Sequence, residues 1–106
     1  MRCLTAASRA FEHSVKSDPN RFESWSNWGI ALMHLSILQQ DPHYCQEAQN
    51  KFEEAEKHIH QCPKEQEAYL FVNWGVTCFY QGRLSGEAVD YRNALEKFSR
   101  AQQMGY

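Results

Sequence analysis

Apolar residues recur along this chain at steps of three and four, the spacing that gathers them on one face of a helix. Leu4, Ala7, Phe11, Ser14 and Val15 form a first run; Phe22, Trp25, Trp28/Gly29, Leu32 and Leu35 form a second. Tyr44, Ala48, Phe52, Ala55 and Ile59 form a third, and Ala68, Phe71, Trp74/Gly75 and Cys78 a fourth. A fifth holds Ala88, Tyr91, Ala94/Leu95, Phe98 and Ala101. No stretch alternates with the period of two that marks a strand. Proline and glycine separate the runs at Asp18-Pro19, Asp41-Pro42, Cys62-Pro63 and Gln81-Gly82. The pattern predicts an all-α fold of five helices, over residues 3–17, 20–39, 42–60, 64–81 and 85–104.

The boundaries have chemical causes. Asp41 is able to accept a hydrogen bond from the free amides at a helix start, and Pro42 suits the first helical position, where its missing N–H costs nothing. Asp18-Pro19 is expected to act likewise for the second helix. Gly82 is expected to stop the fourth helix in a left-handed conformation, with Ser85 capping the fifth. Connections this short force consecutive helices to run antiparallel.

The chain also repeats itself. Trp25-Ser26-Asn27-Trp28-Gly29 aligns with Phe71-Val72-Asn73-Trp74-Gly75 at a shift of 46 residues, and the same shift carries Ala48, Phe52 and Ala55 onto Ala94, Phe98 and Ala101. A fixed period between 20 and 50 residues marks stacked units too thin to bury their own apolar faces. Gly29 and Gly75 fall mid-helix, where glycine costs about 1 kcal/mol against alanine. Such glycines persist where two helices approach too closely for a Cβ, so each is expected to face an alanine-lined neighbour with Phe52 or Phe98 beside it. Trp25, Trp28 and Trp74 are expected in the core.

These residues resemble the tetratricopeptide repeat family. That family places a large residue, then an aromatic or Leu before Gly, on the first helix of each repeat, and a small–aromatic–small trio on the second. Trp25, Trp28 and Gly29, then Phe71, Trp74 and Gly75, match the first-helix pattern. Ala7/Phe11/Ser14, Ala48/Phe52/Ala55 and Ala94/Phe98/Ala101 match the trio, and Pro19 matches the terminal proline. The resemblance implies a right-handed α-solenoid of antiparallel helix pairs in one domain, with a half repeat over 1–19 and full repeats over 20–63 and 64–106. Two features depart from the family. The 19 residues from Gly29 to Ala48, and again from Gly75 to Ala94, exceed its usual spacing by about two helical turns, which lengthens both arms of each pair. The segment between Ala55 and Phe71 is longer too, with Pro63 displaced.

In the family, the first helix of each repeat lines a concave groove. The matching positions are Glu23, Ser26, Asn27, Ile30, Met33 and His34 in one repeat, and Tyr69, Val72, Asn73, Val76, Phe79 and Tyr80 in the next. Members that clamp carboxylate tails use Lys, Asn and Arg there; Ser26, Ile30, Val72 and Val76 argue against that clamp. A groove of Ile, Met, Val, Phe and Tyr favours a protein partner offering an apolar peptide or amphipathic helix, and Met33 suits an adaptable surface. The first helix reads as a second-helix element without its partner, and the last, with Leu95, Phe98 and Met104, lacks a polar cover. Self-association through these end helices is therefore expected.

Composition narrows the classes. Eleven basic and 13 acidic residues give a net charge of −2 without clusters, which argues against nucleic acid. No apolar run reaches the roughly 20 residues of a membrane span, and Met1-Arg2-Cys3-Leu4 lacks a signal-peptide core. Scattered Cys3, Cys45, Cys62 and Cys78 favour reduced thiols and a cytoplasmic location. His58 and Cys62 share a helix face, but two ligands do not make a structural zinc site. Neither a nucleophile turn nor a phosphate loop is present, so no enzyme and no cofactor is expected. The expectation is an interaction module, with a structural spacer or self-assembly segment of a longer array as the alternative.

Overall fold

A computed structural model describes the backbone of residues 2–104 and the side chains of residues 9–104. The side chains of Cys3, Leu4 and Ala7 lie outside the described residues. Among those described, the protein is all-helical: α1 (Arg2–Ser17), α2 (Phe22–Gln39), α3 (Pro42–Glu56), α4 (Lys64–Ser85) and α5 (Ala88–Gln103), with one 3₁₀ turn at Ile59–Gln61.

The start of α3 follows the expected chemistry: Pro42 opens the helix and the Asp41 carboxylate accepts the His43 amide at 2.9 Å. The start of α2 does not. Asp18 accepts only the Asn20 amide, while the first amide of α2, on Phe22, donates to Oε1 of Gln61 at 3.1 Å. Gln61 Nε2 donates in turn to the Asn20 carbonyl at 2.6 Å. A side chain 39 residues away in sequence thus fills the capping role expected of Asp18-Pro19. Bringing Gln61 there requires α3 to stop at Glu56, short of the expected residue 60, and turn through Ile59–Gln61.

Gly82 is not a helix stop. It lies inside α4, buried, where a Cβ would meet the Tyr91 ring at 3.1 Å. Its lack of a side chain admits α5 rather than a left-handed turn. The stop is Gly86, at φ +77°, whose amide donates to the Gly82 carbonyl at 2.8 Å. Ser85 accepts the Glu87 amide at 3.1 Å and donates to the Asp90 carboxylate at 2.8 Å. It therefore braces the turn, and α5 begins only at Ala88.

Packing repeats with the sequence. A Cβ on Gly29 would lie 2.6 Å from the Phe52 ring, and one on Gly75 would lie 2.7 Å from the Phe98 ring. The atoms nearest each glycine belong to the phenylalanine ring, and Ala48 and Ala55, or Ala94 and Ala101, are buried on the same facing helix. A ring is wide and flat, so it fills the space a missing Cβ leaves more completely than a methyl group does. Lys51 and Lys97, also 46 residues apart, hold their ammonium groups 4.1 Å from the Trp28 centroid and 4.0 Å from the Trp74 centroid.

The core gathers where α2, α3 and α4 meet. Phe52, Leu70 and Phe71 have no measurable exposure, and Trp74 stacks on Phe71 with centroids 6.0 Å apart. Trp25 and Trp28 depart from expectation: both are only partly buried and stack on each other at 5.8 Å. Trp28 lines a hollow between α1, α2 and α3, with Arg9, Glu12 and Glu47 among its other lining residues. Val15 and a hydrogen bond between the Ser14 and Ser24 hydroxyls, 2.9 Å, hold α1 to α2.

Candidate functional site

α2 and α4 lie side by side, joined near their C-terminal ends where the Tyr80 hydroxyl donates to the Ile37 carbonyl at 3.3 Å. Toward their N-terminal ends a hollow of about 280 Å³ lies between them. Phe22, Glu23, Ser26, Asn27 and Ile30 line it from α2, and Gln66 and Tyr69 from α4. A second hollow of about 250 Å³ shares Phe22, Glu23 and Gln66 and adds Arg21, Gln61, Cys62 and Pro63. The two form one trough that ends at the turn after α3.

The residues expected to line a groove divide accordingly. Asn27, Ile30 and Tyr69 line the hollow; Tyr69 is half-exposed, with its ring free to meet a ligand. Val72 and Val76 are partly buried and pack on the core, and His34 is exposed but outside the hollow. The other four lie outside the hollow. Met33 is buried, 5% exposed, because the stripe it shares with Leu32 faces the interior. Asn73 is buried too, and its Nδ2 donates to the Tyr69 carbonyl at 2.9 Å, so its amide serves its own helix. Phe79 is half-exposed but meets Tyr91 edge-on at 5.5 Å, on the α5 side of α4. Tyr80 spends its hydroxyl on the α2–α4 bond.

Phe22, Gln66 and Gln61 contribute to the trough without having been expected. Gln66 sits one turn before Tyr69, a spacing the sequence does show. Gln61 arrives from the connector by a long-range hydrogen bond that leaves no local signal.

Electrostatically the trough is nearly neutral. Arg21 and Glu23 approach to 3.9 Å, both well exposed, which makes a weak pair. Burial pushes the Cys62 thiol up, with the Glu67 carboxylate adding to the effect. Burial also raises the Cys45 thiol, and it pushes Cys78 up to about 11 against an opposing pull from Lys97. All three are free thiols, and groups held protonated in this way make poor nucleophiles at neutral pH. Cys62 Sγ donates to the Ile59 carbonyl at 3.1 Å. Among the described residues, no three His, Cys, Asp or Glu side chains are placed to share a metal ion, and no helix is long and apolar enough to cross a membrane. What the trough offers chemically is the apolar side chains of Phe22 and Ile30, the half-exposed Tyr69 phenol and a few amides.

Comparison with protein-family models finds no match for this chain. Comparison with curated proteins and with solved structures finds no match either.

Proposed function

We propose that this chain is a tetratricopeptide-like interaction module that holds an apolar peptide or amphipathic helix of a protein partner in the trough between α2 and α4. In this reading the five helices form a right-handed solenoid of antiparallel pairs. Support comes from the direction in which contacts run. Phe22 meets Gln61 while Gly29 meets Phe52, and Gly75 meets Phe98 while Gly82 meets Tyr91, so the early part of one helix lies on the late part of the next. Between α2 and α4 the order is the same in both: Tyr69 lies by Ile30 and Tyr80 by Ile37.

The observation that carries the proposal is the hollow itself, where Tyr69 stands half-exposed beside partly buried Ile30 and Glu23 is the one charged lining residue. An apolar anchor side chain fits such a site, with Ser26, Asn27 and Gln66 to fix its orientation. The free thiols suit a reducing compartment such as the cytoplasm.

An array of apolar and amphipathic peptides, followed by fluorescence anisotropy on the hits, tests this. Tyr69→Ala is expected to weaken binding about tenfold, or about 1.4 kcal/mol. Val89→Ala, on α5 and outside the hollow, is expected to leave it unchanged. A structural spacer gives no such binding, and hits indifferent to Tyr69→Ala would remove the trough from the account.

A further inference from the structure

Of the buried hydroxyl and amide side chains described, Ser26 alone lacks a partner. Ser24 pairs with Ser14, Ser36 donates to the Met33 carbonyl at 2.6 Å and Thr77 to the Asn73 carbonyl at 2.9 Å. Asn73 donates to the Tyr69 carbonyl. Ser26 is 7% exposed and lines the hollow between α2 and α4, yet among the described residues its hydroxyl makes no hydrogen bond. Its counterpart 46 residues on is Val72, so the packing of the repeat does not call for a hydroxyl there. The exposed amides of Asn27 and Gln66 line the same hollow.

We infer that Ser26 is the specificity-determining group of the trough and that it reads the main chain of an extended peptide. The inference rests on the proposed function and selects between the two occupants that reading allows. An occupant seated on Ile30 strips water from Ser26, which lies one turn earlier on the same face, about 6 Å along the helix. The hydroxyl must then receive a hydrogen bond from the occupant or stay buried without one. In an extended peptide each residue carries a free N–H and C=O beside its own side chain, so an anchor at Ile30 brings a peptide group to Ser26. A hydroxyl both donates and accepts, and either half of the peptide group serves. In an amphipathic helix those groups are bonded within the helix and lie behind the side chains that would face the trough.

The probe is the uncharged peptide Ser-Thr-Val-Leu-Val-Thr-Ser, whose β-branched residues favour an extended chain, titrated into the isotope-labelled full chain. Backbone resonances of Ile30 and Tyr69 should shift. Ser26→Ala should weaken binding about fivefold. Replacing the amides of the probe one at a time by esters should find one position that weakens binding to the native protein and not to the Ser26→Ala variant. Ser26→Ala should leave the thermal midpoint unchanged, because the hydroxyl has no partner to lose. Ser36→Ala, by contrast, should lower the midpoint by roughly 4–8 °C and leave the affinity as it is. A helical peptide of Ala, Glu and Lys with Leu along one face is the comparison probe. The inference is overturned if Ser26→Ala lowers the midpoint as Ser36→Ala does, if the extended probe ignores the substitution, or if no ester couples to residue 26. It is also overturned if only the helical peptide moves Ile30 and Tyr69, a result that keeps the trough as a binding site. Silence from both peptides would remove the trough as well.

Discussion

The unit formed by α2 and α3 and the unit formed by α4 and α5 make the same closing contacts with opposite burial. Each sets a phenylalanine ring on a mid-helix glycine, at 2.6 Å and 2.7 Å from an added Cβ, and each sets a lysine over a tryptophan, at 4.1 Å and 4.0 Å. Yet Phe52 is wholly buried where Phe98 is not, and Trp74 is 4% exposed where Trp28 is only partly buried. Among the described residues, α3 packs on α2 and α4, and α4 on α3 and α5, while α5 packs chiefly on α4. Local sequence sets the contact within a unit, and the neighbouring unit sets how much water is removed from it. The same residues therefore contribute different amounts of stability in the two units.

Substitutions that strip the shared contact should separate the units most. Phe52→Ala leaves a sealed cavity and should cost about 3–5 kcal/mol, enough to unfold much of a marginally stable domain. Phe98→Ala opens to solvent and should cost about half as much. Urea unfolding followed by circular dichroism measures both, and equal losses would refute the difference in burial.

Filling the glycines is the converse test. Gly29→Ala drives a methyl group into a ring enclosed on every side, an overpacking cost of about 1–3 kcal/mol offset by about 1 kcal/mol of helix propensity. Gly75→Ala meets a ring with room to swing outward, so the same two contributions should nearly cancel. Unfolding midpoints that drop equally would place Phe98 in a site as rigid as that of Phe52.

Smaller effects sharpen the picture. The Lys97 side chain is only 14% exposed, so Lys97→Met should cost about 1–2 kcal/mol, with less for Lys51→Met, whose Trp28 ring is only partly buried. Cys78 responds to alkali. Its thiol rises from 9.0 to about 11 through burial, so the folded state holds the proton more tightly than the unfolded chain does. That contribution is complete below the unfolded value and is lost as pH climbs toward about 11. Cys78→Ala should flatten that part of the decline in a pH series of unfolding curves. With Cys3 replaced by serine, a thiol reagent should label partly buried Cys62 first and reach Cys45 and Cys78 only as the chain opens.

Much of this was legible in the residues, for identifiable reasons. Helix existence follows from periodicity, and the Asp41-Pro42 cap from local chemistry, because both depend on residues a few positions apart. The glycine contacts were visible as a sequence repeat, although not that a ring would be the partner. What stayed hidden depends on distant residues. Gln61 capping α2, the stop at Gly86 in place of Gly82, and the inward turn of Met33 and Asn73 are all decided by what packs opposite. For the trough, Asn27, Ile30 and Tyr69 were readable from their positions on the repeat. Phe79 was not, since its side of α4 is set by Tyr91 on another helix.

Nuclear Overhauser contacts from the glycine α-protons examine the shared contact directly. The account predicts cross-peaks from Gly29 to the Phe52 ring and from Gly75 to the Phe98 ring, each lost on changing its own phenylalanine to leucine and untouched by changing the other. α-Protons that report only their own helix, or that lose their cross-peaks to the wrong substitution, would contradict it.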